Sequence, residues 1–256
     1  MNKEYLLFGF DISLEHWGIT CISSNTGNLI GSWSSYTTPK WVVDTISEIK
    51  YTGIQSPIKK ENEQKAPFTQ RRIHTAVERI QCLIKSILFD YSVIGYEKDD
   101  FFISIEGYSY QSQTTSICQI AELTGTLKHK LLEMGAKIRV HDPSTLKQFG
   151  ANLGNAKKIQ MLDAARTKGF LVPDSIIKPV KKAGIFIDVD GPGTDIIDAW
   201  FLAHMLYMEL QLRDGRIIID ELDKIKQKIF RRISTYYPVD LMHRTFIEYC
   251  PSGDPL

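Results

Sequence analysis

Three short apolar runs, YLLFGF, WGITCIS and NLIGSWSSY, follow one another within the first 36 residues, and SNTGN supplies a turn between the last two. Apolar residues alternating over so few positions, broken by Gly and Asn, read as strands, with a hairpin where the turn falls. The chain therefore opens as a three-stranded meander, and whatever follows must extend a sheet that already exists.

The rest of the pattern says how. From Arg71, the apolar positions Ile73, Val77, Ile80, Ile84, Ile87 and Leu88 recur at three-and-four spacing, which predicts an amphipathic helix. FFISIEG (101–107) reads as a strand, about Thr115 to Met134 as a helix, AKIRVHD as a strand, and NAKKIQMLDAARTKG as a helix closed by Gly169. Strands alternating with helices pair in parallel through crossovers. The expected architecture is an α/β mixed sheet, an antiparallel meander of three strands followed by βα units, with helices on both faces.

Two stretches break this rhythm. Residues 37–70 carry prolines and charges with few apolar positions and are expected to form an insertion or loop, and 172–193, rich in Pro, Gly and Lys, is expected to be a loop before a last core helix starting near Thr194. Residues 216–232 hold six basic residues against three acidic ones, and a packed helix with a solvated charged face is the preferred reading there. The expected organisation is one domain over 1–212 with its insertion at about 37–70, and a basic helical extension over 213–256.

A length of 256 residues can bury a sizeable core, and 43% hydrophobic with 24% charged residues is ordinary for a globular protein. The net charge of +1 provides no global positive field, so any nucleic-acid binding must come from local patches. Cys21, Cys82, Cys118 and Cys250 lie far apart without C-x-x-C spacing, which counts against a structural zinc site and a disulfide framework. With no signal peptide and no span of membrane length, the expectation is a soluble, cytoplasmic protein.

Acids stand where apolar elements end. Asp11 follows the first strand, Glu106 lies inside ISIEGYS, and Asp195 with Asp198 opens the last helix, three residues apart and so on one face. Each has an ordinary explanation: Asp11 as a turn acid, Glu106 as an edge residue or half of an ion pair, and the last pair as first-turn acids favoured by the helix dipole, with Thr194 as N-cap. If the topology brings their elements together, all four converge, and that many carboxylates need a cation. Magnesium or manganese prefers such oxygen ligands, and two ions roughly 3.5–4 Å apart serve in-line phosphodiester displacement.

GFDISLEHWG, ISIEGYSY and TDIIDAWFLA resemble, in order, the acidic motifs of the RuvC family of Holliday junction resolvases, within the RNase H-like superfamily. Gly154, Ala156, Lys158 and Gln160 match that family's G-x-A-x-K-x-Q segment. The resemblance covers most of residues 5–212. It implies an RNase H-like fold and a metal-dependent endonuclease, a homodimer nicking opposed strands of a four-way DNA junction. It also implies Asp11, Glu106, Asp195 and Asp198 as ligands of Mg2+ or Mn2+, two per site, with Lys158 as phosphate contact or catalytic helper. Two departures mark the chain as divergent: Ile12 and Ser13 replace the Pro and Gly after the first acid, and Ser109, flanked by Tyr108 and Tyr110, stands at the aromatic wedge position.

For the DNA itself, cations must meet phosphates and flat side chains must meet bases. The candidates are Lys147, Lys157, Lys158, the KPVKK lysines (Lys178, Lys181 and Lys182), Tyr108 and Tyr110. Ribonuclease H and transposase-type nucleases use the same acids on other substrates and remain the rival readings. An actin-like or sugar-kinase ATPase ranks lower, because DVDGPGTD is the nearest approach to its second phosphate motif.

Overall fold

In a computed structural model, residues 4–13, 16–36, 45–46, 50–92, 101–107 and 115–236 are described. The meander is β1 (Leu6–Ile12), β2 (Trp17–Ser23) and β3 (Leu29–Tyr36), antiparallel throughout. Beyond β1 come β6 (Phe101–Glu106) and β7 (Ala136–His141), both parallel to it. With β4 (Thr45–Ile46) and β5 (Tyr51–Gln55), the seven-stranded sheet runs in the order β4-β5-β3-β2-β1-β6-β7. An antiparallel meander continued by parallel βα units, with helices on both faces, is the mixed α/β architecture the sequence leads one to expect.

Side-chain alternation divides the sheet into two faces. Leu6, Phe8 and Phe10 of β1, with Phe101, Ile103 and Ile105 of β6, pack against helices α1 (Lys65–Ser92) and α2 (Thr115–Glu133) through Ile80, Ile84, Leu127 and Leu131. The intervening residues face helix α5 (Pro192–Arg213), where Leu7, Ile22 and Phe102 meet Ala203, Leu206 and Leu210. Asp11 and Glu106 keep the phase of Leu7 and Phe102, so both belong to the α5 face.

Two glycines let α5 lie almost on the strands. A Cβ at Gly9 would stand 1.8 Å from the Ala199 carbonyl oxygen, and one at Gly18 2.4 Å from that of Asp195. Gly18 is also the cross-strand neighbour of Asp11. Farther along, the buried Arg139 of β7 is clamped to the buried Glu209 of α5, with Nε to Oε2 at 3.0 Å and a terminal nitrogen to Oε1 at 2.5 Å. The helix is thus pinned near both ends, with the Asp195 turn held over the end of β1.

Several expectations need correction. The described part of 37–70 is not simply a loop: β5 pairs in parallel with β3, and α1 starts at Lys65 rather than Arg71. Tyr51 is the only fully buried residue of that strand, donating to or accepting from Ser34 Oγ at 2.7 Å, so no alternation betrays it. The 172–193 stretch holds a second sheet, β8 (Lys178–Lys182) and β9 (Ile185–Asp190), anchored by the buried Val189. Thr194 is not the N-cap of the last helix. Gly191 takes that place, with φ 121°, and the Thr194 hydroxyl donates back to its carbonyl at 2.7 Å.

Between β7 and β8, helix α3 (Pro143–Ala151) precedes α4 (Lys158–Thr167), and the end of α4 is closed by Gly169 at φ 83°. Helix α6 (Lys224–Tyr236) buries Ile229, Phe230 and Ile233 beside Phe149 of α3. No helix among the described residues is long and apolar enough to cross a membrane.

Candidate functional site

At the carboxyl ends of β1 and β6, beneath the first turns of α5, a cavity of about 990 Å³ opens, and Asp11, Glu106, Asp195 and Asp198 all line it. Four acids from three elements therefore meet in one place. Asp11 comes from the last turn of the β1 pleat, Glu106 ends β6 beside it, and the i, i+3 spacing sets both aspartates of α5 on the face toward the sheet.

Burial is the main influence on all four carboxyls. It raises the pKa of Asp11 to about 6, against the pull of Lys158, a hydrogen bond with Glu106, and Lys147. Glu106 is pushed well above the carboxylate range by burial and by the charges of Asp11 and Asp198, and it supplies the proton of its bond to Asp11. Asp195 is raised likewise by burial and the Asp11 charge, and Asp198 reaches about 8. Oδ2 of Asp195 and Oδ1 of Asp198 are buried without a hydrogen-bond partner. Such atoms are open to a donor or a cation that would satisfy them.

The rim supplies cations. Lys147 of α3, and Lys157 and Lys158 at the start of α4, line the same cavity. The Lys157 amide donates to Gln160 Oε1 at 2.8 Å, which orders the turn carrying both lysines. Lys158 Nζ binds Asp190 Oδ1 at 2.6 Å. Partial burial works against its charge, but that bond and the fields of Asp195 and Asp11 prevail and raise its pKa.

Other lining residues were missed. Asp188 and Asp190, two apart on β9 and so on one face, border the cavity, and Asp188 Oδ1 accepts the Ile159 amide of α4 at 2.8 Å. Lys65, Phe68, Thr69 and Arg72 form an i, i+3, i+4, i+7 stripe on α1 facing the acids, with Lys59 just ahead of the helix. The stripe was readable in principle, yet a helix begun at Arg71 cuts it in two. Lys178, Lys181 and Lys182 are not among the lining residues and stand exposed on β8. Tyr108 and Tyr110 lie outside the described residues.

No three His, Cys, Asp or Glu side chains among the described residues are closed round a single point as a ready metal cage. The cluster is instead a set of neighbouring carboxyls whose pKa values burial raises, with open oxygens on Asp195 and Asp198.

No protein-family model matches the chain, and no curated protein matches it either. Among solved structures, it is similar to Thermus thermophilus RuvC at 15% identity and a TM-score of 0.44, over 82% of this chain and 96% of that one. The RuvC of the same organism in complex with a Holliday junction substrate is similar at 14% identity and a TM-score of 0.43, over the same shares. Neither likeness is close enough to carry a function.

Proposed function

We infer that the chain is a metal-dependent structure-specific endonuclease that hydrolyses phosphodiester bonds in four-way DNA junctions, acting as a homodimer. One observation carries this reading: four half-buried carboxyls from β1, β6 and α5 form the floor of a cavity whose rim is lined by Lys59, Lys65, Arg72, Lys147, Lys157 and Lys158. A floor that wants cations and a rim that wants anions suit a phosphate backbone.

The residues fit a hard divalent cation. The acid cluster offers oxygen donors, two of its buried oxygens lack partners, and burial with mutual repulsion raises the pKa of its carboxyls, which a bound cation would offset. Magnesium is commonly held by one or two carboxylates, with water and phosphate filling the remaining positions, so a closed cage of three side chains is not required. Asp11, Glu106, Asp195 and Asp198 would hold Mg2+ or Mn2+, two per site. Bound there, the metal supplies an acidified water and charge neutralisation at the phosphate.

The chain's own groups do the rest. Lys158, kept charged by Asp190, points positive charge at the region over Asp11 and Asp195, where the phosphate would lie. Lys147 and Lys157 hold phosphates on one side of the cavity, and the Lys65 to Arg72 stripe holds them on the other.

The test is incubation of purified protein with end-labelled four-way junction, linear duplex and RNA–DNA hybrid in Mg2+. Paired nicks in the junction alone support the reading. Cutting confined to the hybrid would assign a ribonuclease H activity instead.

A further inference from the structure

One element bordering the cavity contributes to the chemistry only at its base, where Asp190 holds Lys158. Strands β8 and β9 form a hairpin whose turn, Ala183–Gly184, has positive φ at both positions, 50° and 80°. That is the tight two-residue connection matched to strand twist, and it makes a stiff tip. An alanine is held in the left-handed region there although most L residues avoid it.

The tip's surface is unusual in two ways at once. Ile185, Phe186 and Ile187 are 68%, 48% and 40% exposed, three consecutive apolar residues facing water on both sides of an isolated ribbon. Opposite them, Lys182 pairs with Ile185 and Lys181 with Phe186, and residues 178–187 hold three lysines and no acid. At its base the hairpin is tied to the site: Val189 is buried, Asp188 accepts the Ile159 amide, and Asp190 holds Lys158. The tip therefore keeps a set position relative to the four acids.

We propose that this hairpin is a nucleic-acid wedge, in which Ile185 and Phe186 enter the base stack where DNA strands diverge while Lys181 and Lys182 hold the adjoining phosphates. The proposal rests on the nuclease reading for its ligand but uses none of the acid cluster. Apolar side chains between base steps are a known way to open a duplex, and flanking cations hold the backbone that has to bend. A protein partner fits less well. Lysine is depleted at the centre of protein interfaces, and three apolar residues fall far short of the about 800 Å² per partner that a stable interface buries.

The experiment uses a synthetic four-way junction with 2-aminopurine beside the branch point, in calcium buffer. Binding of the wild-type protein is expected to raise the fluorescence severalfold as the base unstacks. The double variant Ile185→Ser with Phe186→Ser should bind within about threefold of wild type yet lose that rise. Lys181→Ala with Lys182→Ala should weaken binding roughly tenfold and lower the salt dependence of log K by about 2. All four positions are exposed, so thermal unfolding should stay unchanged.

In magnesium, the serine variant should cut an intact junction about tenfold more slowly, and a junction already unpaired at its centre at the wild-type rate. A fluorescence rise that survives the serine substitutions, or wild-type protein that does not bind the junction, overturns the proposal. So does a dimer-to-monomer shift in the serine variant with its DNA response intact, which would make the tip a protein interface. Wild-type protein that unstacks the junction but never cuts it refutes the nuclease reading and leaves the wedge standing.

Discussion

Gly18 faces Asp11 across the β1–β2 pair and lies directly beneath the Asp195 backbone, so close that a Cβ there would stand 2.4 Å from the Asp195 carbonyl oxygen. One missing side chain thus brings two of the acids together. The obstacle is backbone, which cannot rotate away. Gly18→Ala is expected to destabilise the protein by about 1–3 kcal/mol in thermal unfolding, as overpacking does, and to lower cutting further by lifting the Asp195 turn. Full activity in that variant would mean that α5 need not lie so low.

Asp11→Asn and Glu106→Gln keep the shape of the floor while removing its charge. Each should reduce junction cutting roughly a thousandfold or more and leave junction binding in place, since the rim cations remain. Gel-shift and cleavage assays on the same preparations separate the two effects, and undiminished cutting by either variant would place the chemistry elsewhere.

The protons held by the floor make stability depend on pH. Burial raises Asp11 to about 6 and Asp198 to about 8, so between about pH 4 and pH 8 the folded chain binds protons that the unfolded chain has lost. Stability contributed by these groups therefore falls as pH rises. For Asp11 alone the loss between pH 5 and pH 8 is roughly 1.4 kcal/mol, a drop of about 4 °C in the melting temperature of the metal-free protein. Mg2+ or Mn2+ should restore the lost stability at the upper end, and Asp198→Asn should flatten the slope. A metal-free melting temperature that climbs over this range would contradict the picture.

Arg139 and Glu209 are both fully buried, and the pair ties β7 to α5. Glu209→Ala leaves a guanidinium in the core and should cost about 3–5 kcal/mol, whereas Arg139→Met with Glu209→Leu should recover most of that loss. Chemical denaturation of the three proteins reads the difference. If the single variant were as stable as the double, burying the Arg139 guanidinium without Glu209 would cost less than supposed.

Asp190→Asn removes the partner that keeps Lys158 in place across 2.6 Å. Cutting should fall about tenfold while the melting temperature changes little, because the bond is largely exposed. A matched fall in Lys158→Met, with no further loss in the double variant, would show that the two act as one unit.

The elements legible in the sequence were those whose neighbours are apolar. Strands β1, β2, β6 and β7 and the core of α1 pack against other apolar surfaces, so burial is written in their spacing. Strand β5 escaped because Tyr51 alone is fully buried there, and β8–β9 because its exposed tip buries nothing that a pattern could register. Helix α3 was hidden by the proline that opens it and by Gly150, whose bare Cα accepts the end of Met161. The acids stood out as polar interruptions of apolar runs. Lys59, Lys65 and Asp188 carry no such contrast, and only the folded chain sets them round the cavity.

The hairpin's tip carries a last consequence. Residues 181–187 are exposed and join neither large core. A substitution there changes the outer surface without altering whether the protein folds. The tip's surface can therefore change one residue at a time while both cores and the acidic floor stay untouched.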